Sequence, residues 1–181
     1  MPTENRPLGV GLPFSFPAAG AIVLAVCFVL VLFTPKGQLG EAEFVSKAAS
    51  GGKFELESSK LAIRSSKRDD VKQFAEHMIA DHEKANQELM EAASEAGHEM
   101  PTKMIDSHEQ MLTKVRDAQV ADFDDAYILN QIKAHEEAVT LFTAASKNLQ
   151  NQTLKAYAVK TLPVLKEHLE QIKQLAPSSA K

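Results

Sequence analysis

Residues 69–97 read DDVKQFAEHMIADHEKANQELMEAASEAG, and this stretch decides the fold. Val71, Ala75, Met78, His82, Ala85 and Leu89 recur three or four positions apart, the spacing of one face of an α-helix. The intervening residues are mostly Lys, Glu, Gln and Asp, so the opposite face is wet. No Gly or Pro interrupts the run before Gly97, where the helix is expected to end, and Pro101 blocks its continuation. The core stripe contains a polar residue, His82, which makes it a candidate for chemistry as well as packing.

The same pattern extends in both directions. Upstream, Lys67-Arg68-Asp69-Asp70 forms a turn in which Asp69 or Asp70 can cap the helix. A first helix is expected from Glu41 to Ser66, with Phe44, Ala48, Gly51 and Glu55 on one face. Its Gly51-Gly52 pair costs roughly 1 kcal/mol per glycine relative to Ala, which calls for a close neighbour or a break there. Downstream, a weaker amphipathic piece runs from about Lys103 to Arg116. A third helix begins near Asp122, with the stripe Ile128, Ile132, His135, Val139 and Phe142. A fourth runs from Thr153 to Leu175, with the stripe Ala158, Leu162, Leu165, Leu169 and Ile172. Pro163 lies inside it, so a kink or a split is expected. The connections between the first and second and between the third and fourth helices are short, which predicts two antiparallel hairpins. The connection between the second and third spans about 25 residues, enough for the single long crossover of a ferritin-like four-helix bundle. Ile79-x-x-His82-Glu83-x-Ala85 echoes Ile132-x-x-His135-Glu136-x-Ala138, a hint of two related halves.

Ahead of the bundle, no charged residue occurs between Arg6 and Lys36. Residues 16–34 make an apolar stretch of about the length needed to span a bilayer. Thr34-Pro35-Lys36-Gly37-Gln38-Leu39 is a poor small-x-small cleavage site, so an uncleaved signal anchor is expected rather than a removed signal peptide. Leu24-Ala25-Val26-Cys27 only faintly resembles a lipoprotein box. The expected organisation is a tail and membrane anchor at 1–36, a linker at 37–40, the bundle at 41–176 and a disordered tail at 177–181. A single-pass membrane protein is expected, with its bundle on the far side of the membrane from the cytoplasm.

The chain has 181 residues and a net charge of −4, with its charges interspersed, so it lacks the basic patch of a nucleic-acid binder. A single cysteine excludes an intrachain disulfide. No G-x-S-x-G, P-loop, G-x-G-x-x-G or H-E-x-x-H motif occurs, and no catalytic residue is assigned. A di-iron carboxylate centre needs Glu-x-x-His on two helices. Only Glu95-Ala-Gly-His98 has that spacing, and Gly97 puts it at a helix end.

What remains is a set of candidate metal ligands. His82, His135 and Glu55 fall near the middle of their helices on inward faces. His168 borders the fourth stripe, about four residues off centre, or roughly 6 Å at 1.5 Å per residue. Three imidazoles and a carboxylate suit a divalent transition metal: Zn, Fe, Cu or Mn. The competing expectation is a non-catalytic envelope-stress or protein-interaction module in which Tyr127, Tyr157 or Thr161 satisfies structural histidines. His77 and Asp81 read as a surface i, i+4 pair. His98 and His108 receive no role. Oligomeric state and protein partners are not specified.

The ordered set of short matches from Phe44 to Leu175 resembles the bacterial exported domain-of-unknown-function 4142 family. It comprises Phe44-Val45, Ala48-Ala49, Gly51-Gly52, Glu55-Leu56-Glu57, Val71-Lys72, Phe74-Ala75, Asp81-His82, Ala85-Asn86, Phe123-Asp124, Ala126-Tyr127, Leu141-Phe142, Thr161-Leu162-Pro163 and His168-Leu169. The resemblance implies a ferritin-like fold and an extracytoplasmic location, which with the anchor makes the expected place a bacterial inner membrane, the bundle facing the periplasm or cell exterior. It implies no activity. The family pattern has Asp before the histidine of the third helix, where this chain has Ala134.

Overall fold

The computed structural model describes residues 39–176, and every described regular element is helical. They are α1 (Glu41–Ser65), α2 (Asp69–Glu95), α3 (Asp106–Arg116), α4 (Phe123–Asn148) and α5 (Gln152–Leu175). The third and fourth helices expected above are α4 and α5, and the weaker piece is α3. The expected anchor at 16–34, the 1–36 segment and the 177–181 tail lie outside the described residues. Among those residues no helix is long and apolar enough to cross a membrane.

Neighbouring helices are α1 with α2, α2 with α5, α5 with α4 and α4 with α1. The turns at 66–68 and 149–151 close two antiparallel hairpins. At one end Glu41 meets both His98, 3.2 Å away, and the backbone N–H of Asn151, also 3.2 Å away. At the other end Arg68 donates to the Leu175 carbonyl. The segment between α2 and α4 therefore crosses the full length of the bundle, and α3 packs on α1 and α4 along the way.

Helix ends follow their local chemistry. Gly97 has φ +78°, the left-handed position that favours glycine, and His98 and Gly97 donate back to Ala93 and Ser94. Asn151 caps α5 by accepting from the N–H groups of Thr153 and Leu154. At α2 the cap position falls on Arg68 and not on Asp69 or Asp70. Asp70 lies within the first turn, where it accepts from Val71 N–H and binds the Arg68 guanidinium. Pro163 neither splits nor ends α5. It and Val159, whose carbonyl loses its intrahelical partner, are both exposed, so water can satisfy that group. α1 also runs unbroken through Gly51-Gly52. A Cβ on Gly52 would collide with the Asn86 side-chain amide, so close helix approach is what the glycine permits.

The core is divided. One apolar cluster, around Phe44, Leu89, Phe142, Leu154 and Leu165, fills the half near the Glu41 end. A second, around Val71, Met78, Tyr127, Ile128 and Ile172, fills the opposite half. Between them lies a buried polar layer of Glu55, Ser58, Ser59, His82, Gln131, His135 and His168. A satellite cluster of Phe54, Met104, Met111, Leu112 and Ala134 seats α3.

Candidate metal centre

The polar layer brings His82 of α2, His135 of α4 and His168 of α5 together. Their ring centroids are 6.1 Å (His82–His135), 5.5 Å (His82–His168) and 5.6 Å (His135–His168) apart. One nitrogen from each ring lies within 4.8 Å of the others. Ligands on one tetrahedral ion stand about 3.4 Å apart, given metal–nitrogen bonds of about 2.0–2.1 Å. Closing the set thus needs only small inward rotations of the rings. All three side chains are buried.

His168 sits in the same layer as the other two, not a turn away. Midpoints of sequence segments set height only if helices begin flush, and α5 is staggered relative to its neighbours. Glu55 is also in the layer, but against the Nδ1 edges of the rings: its carboxyl is 3.2 Å from Nδ1 of His82 and 3.6 Å from Nδ1 of His135.

Each ring is held at one nitrogen and unpartnered at the other. His135 Nδ1–H donates to the Gln131 carbonyl at 2.9 Å, and His168 Nε2–H donates to Asp81 at 2.9 Å. His82 has Glu55 at Nδ1. Left buried in the layer with no hydrogen-bond partner are His82 Nε2, His135 Nε2 and His168 Nδ1, together with Glu55 Oε1 and Gln131 Oε1. A ring fixed through one nitrogen with the other left without a partner is how metal-binding imidazoles are oriented.

Two of the expected hydroxyl partners, Tyr127 and Tyr157, are engaged elsewhere. Tyr127 pairs with Ser59 at 3.0 Å, and Tyr157 donates to the Ala85 carbonyl at 3.2 Å. Gln131 donates to Ser58 at 3.0 Å. Asp81 binds His168 and not His77, which is exposed.

Burial keeps the site neutral. It raises the Glu55 carboxyl to about 8. It lowers His135 to about 4 and His82 well below its ordinary range, with the neighbouring imidazoles adding to the shift. Glu55 and His82 therefore form a neutral hydrogen-bonding pair at pH 7, not a salt bridge.

The remaining histidines stand apart. His98 pairs with Glu41 at the bundle end, so Glu95-x-x-His98 is far from any common centre. His108, unassigned from sequence, is buried: Nδ1 meets Ser50 Oγ at 2.7 Å, Nε2 faces Glu137 at 3.5 Å, and its ring stacks on Phe54. The i, i+4 logic that marks stripes could not find it, because α3 is short and its partners come from α1 and α4. Ala134, where the family pattern has Asp, packs in the apolar satellite under α3. The histidine-containing echo falls on α2 and α4, the second helix of one hairpin and the first of the other. Those positions are not equivalent in a duplicated hairpin, so the helix order gives the echo no support.

A helical bundle enclosing a three-imidazole cluster is the class that fold and site define. The family model for the domain of unknown function DUF4142 matches residues 33–175, and the chain belongs to that family. Among curated proteins none matches. Among solved structures the fold is similar to CopM in its Cu(II)-bound form, at 19% identity and TM-score 0.65, covering 76% of this chain and 96% of that one. CopM in its Cu(I)-bound form matches at 18% identity and TM-score 0.64 over 76% and 96% of the two chains. The silver-soaked form matches at 17% and 0.61, over 76% and 95%.

Proposed function

We propose that this chain binds a transition-metal ion, copper foremost, at His82, His135 and His168, in a bundle tethered to the outer face of a bacterial inner membrane. The observation that carries the reading is the set of three buried imidazole nitrogens without partners in one layer. Leaving a buried polar group unsatisfied costs about 1–3 kcal/mol. With Glu55 Oε1 and Gln131 Oε1 the layer holds five such atoms, a cost comparable to the whole stability of many domains, about 5–15 kcal/mol. A cation bound by the three imidazoles removes the share carried by their nitrogens at once. Three neutral nitrogens suit Cu and Zn better than Mn, which prefers carboxylate and water. The copper- and silver-bound forms of the similar bundle favour copper among them.

In this reading Glu55 supplies charge and orientation from behind the rings. To offer Nε2, His82 takes the Glu55 proton at Nδ1 and releases its own. The pair loses one proton, and the ionised Glu55 becomes the counter-charge inside the core. Asp81 plays the orienting part for His168, and the Gln131 carbonyl plays it for His135.

The ferritin-like description rests on the four long helices and their crossover. The tether rests on the charge-free run up to Lys36, with residues 16–34 in the bilayer. Intact-mass measurement of the membrane fraction tests it: residues 1–40 are retained, and a soluble product beginning between Pro35 and Glu41 refutes the tether. For the metal, the purified full chain should hold one copper per bundle, and none after His135→Ala. A wild-type chain that takes up no copper or zinc leaves the histidines structural and the interaction-module alternative in its place.

A further inference from the structure

The three rings of the layer are all buried, but the groups that hold them differ. Glu55, behind His82, has a side chain only 2% exposed. The Gln131 carbonyl behind His135 belongs to a residue with no exposed surface. Asp81, which accepts the His168 Nε2–H at 2.9 Å, has a side chain 51% exposed. Beside it is a depression of about 110 Å³, lined by Asp81, Lys84, Glu88, Lys160, Thr161 and Val164. Of the two carboxylates there, Glu88 is engaged by Lys160 at 2.8 Å, whereas Asp81 has only the His168 N–H among the described residues.

That difference decides which ring can move. An ion reaches a buried centre only if a side chain gives way, and a ring that moves breaks the bond at its held nitrogen. The groups left behind stay unsatisfied unless water reaches them. Moving His82 strands the Glu55 carboxyl in the core. Moving His135 strands its own Nδ1–H, since its partner lies in the core as well. When His168 turns toward the surface, Asp81 and the freed Nε2–H both meet water. The larger opening, a cleft of about 750 Å³ between α1 and α4, reaches Glu55 and His82 but neither of the other two rings. Glu55 stands there on the Nδ1 side of His82, away from the nitrogen offered to the ion.

We propose that Asp81 and His168 form the gate through which a transition-metal ion enters and leaves the histidine layer. The inference rests on the metal reading above. Asp81 first captures the hydrated cation by its charge, in the depression. His168 then turns about its Cα–Cβ bond toward the surface and opens the layer. When the ring returns, Nδ1 takes its place as a ligand and Nε2–H donates to Asp81 once more. Asp81 thus acts on the rate of exchange as well as on the orientation of the ring.

The test follows copper uptake and release by the full chain in a stopped-flow spectrometer. Metal-free protein is mixed with Cu(II), and the loaded protein with excess EDTA, for the wild type, Asp81→Asn and Ala138→Phe. Asn keeps a carbonyl to accept the His168 N–H but carries no charge. Asp81→Asn should slow uptake at least about tenfold, the scale on which a capturing charge acts on an association rate. A purely orienting role for Asp81 predicts the other split, faster release at unchanged uptake, because a loosened ring weakens the bound state and not the approach. Ala138→Phe, which fills part of the cleft and leaves Asp81 and His168 in place, should take up copper at the wild-type rate. Asp81→Ser and Ala144→Leu replace either variant if it does not fold. Slower uptake in a folded filled-cleft variant overturns the gate and moves entry to the cleft. Unchanged uptake in a folded Asp81 variant removes the gate alone, whereas a wild-type chain that takes up no copper removes the metal reading and the gate together.

Discussion

His108 and His135 are both buried, at 5% and 0% exposure, and in both burial lowers the imidazole's affinity for a proton. They differ in what their nitrogens meet. Ser50 Oγ accepts the Ile105 N–H at 2.9 Å, so its hydroxyl proton is free for His108 Nδ1, and Nε2–H points to Glu137. That ring ties the start of α3 to α1 and α4 and leaves neither nitrogen free. His135 donates from Nδ1 and has nothing at Nε2, and His82 and His168 each likewise keep one nitrogen without a partner in the same layer. Burial alone thus says little about function. The informative quantity is the number of lone pairs that the surrounding protein leaves unused.

The largest expected effect separates the two regions directly. A cation that binds the folded state stabilises it by about 2.7 kcal/mol at a hundredfold excess over its dissociation constant. Copper should therefore raise the melting temperature of the wild type by several degrees. His82→Ala, His135→Ala and His168→Ala should each abolish the rise, while His108→Ala should melt earlier and still respond. A lost response in His108→Ala, or a surviving one in His135→Ala, breaks the comparison.

Without metal the ranking reverses. His108→Leu strands the Ser50 hydroxyl and unties α3, at a cost of about 1–3 kcal/mol in urea denaturation. Its ring is a structural part whose loss is felt at once. A cost under about 0.5 kcal/mol would mean that the Ser50 contact contributes nothing to holding α3.

Much of this contrast was legible in the sequence, though unevenly. The stripes of α1, α2, α4 and α5 are long enough for periodicity to fix both type and facing, so His82, His135 and Glu55 could be placed inward at mid-height. The height of His168 was not legible, because a segment's midpoint fixes height only if the helices begin flush, and its ring lies beside those of His82 and His135. Neither was the side of the rings on which Glu55 stands, since a stripe gives a direction and not a distance. His108 was invisible because the crossover, whose path no local pattern encodes, decides what α3 covers.

The polar layer also sets the pH dependence of the metal-free protein. Glu55, raised to about 8 from an ordinary value near 4.5, contributes stability that is complete below 4.5 and is lost as pH rises toward 8. His135, lowered to about 4 from 6.5, contributes stability that is complete above 6.5 and is lost as pH falls toward 4; His82 and His108 act in the same sense. Below 6.5 three imidazoles oppose one carboxyl, and above it Glu55 acts alone. Stability should therefore peak near pH 6.5, falling on the alkaline side by about 1.4 kcal/mol per pH unit until Glu55 ionises. Urea midpoints at pH 5.5, 6.5 and 8 test the profile. Glu55→Gln should flatten the alkaline limb and leave the acid limb in place, and an alkaline limb that survives in that variant contradicts the assignment.

The smallest expected effect is the most discriminating. In metal-free protein, His135→Leu removes an unpartnered buried nitrogen and substitutes an apolar side chain of similar volume. Replacing a poorly satisfied polar group by an apolar one of the same shape is nearly neutral or stabilising. The lost bond from Nδ1 is a minor term, because the Gln131 carbonyl lies within α4, where the backbone N–H of His135 already reaches it. The net change should lie within about 1 kcal/mol of zero, on either side. Paired with the loss of copper binding in the same variant, a near-zero value identifies a side chain kept for its ligand and not for the fold. A cost of about 3 kcal/mol or more in the absence of metal would place His135 in the structural class with His108.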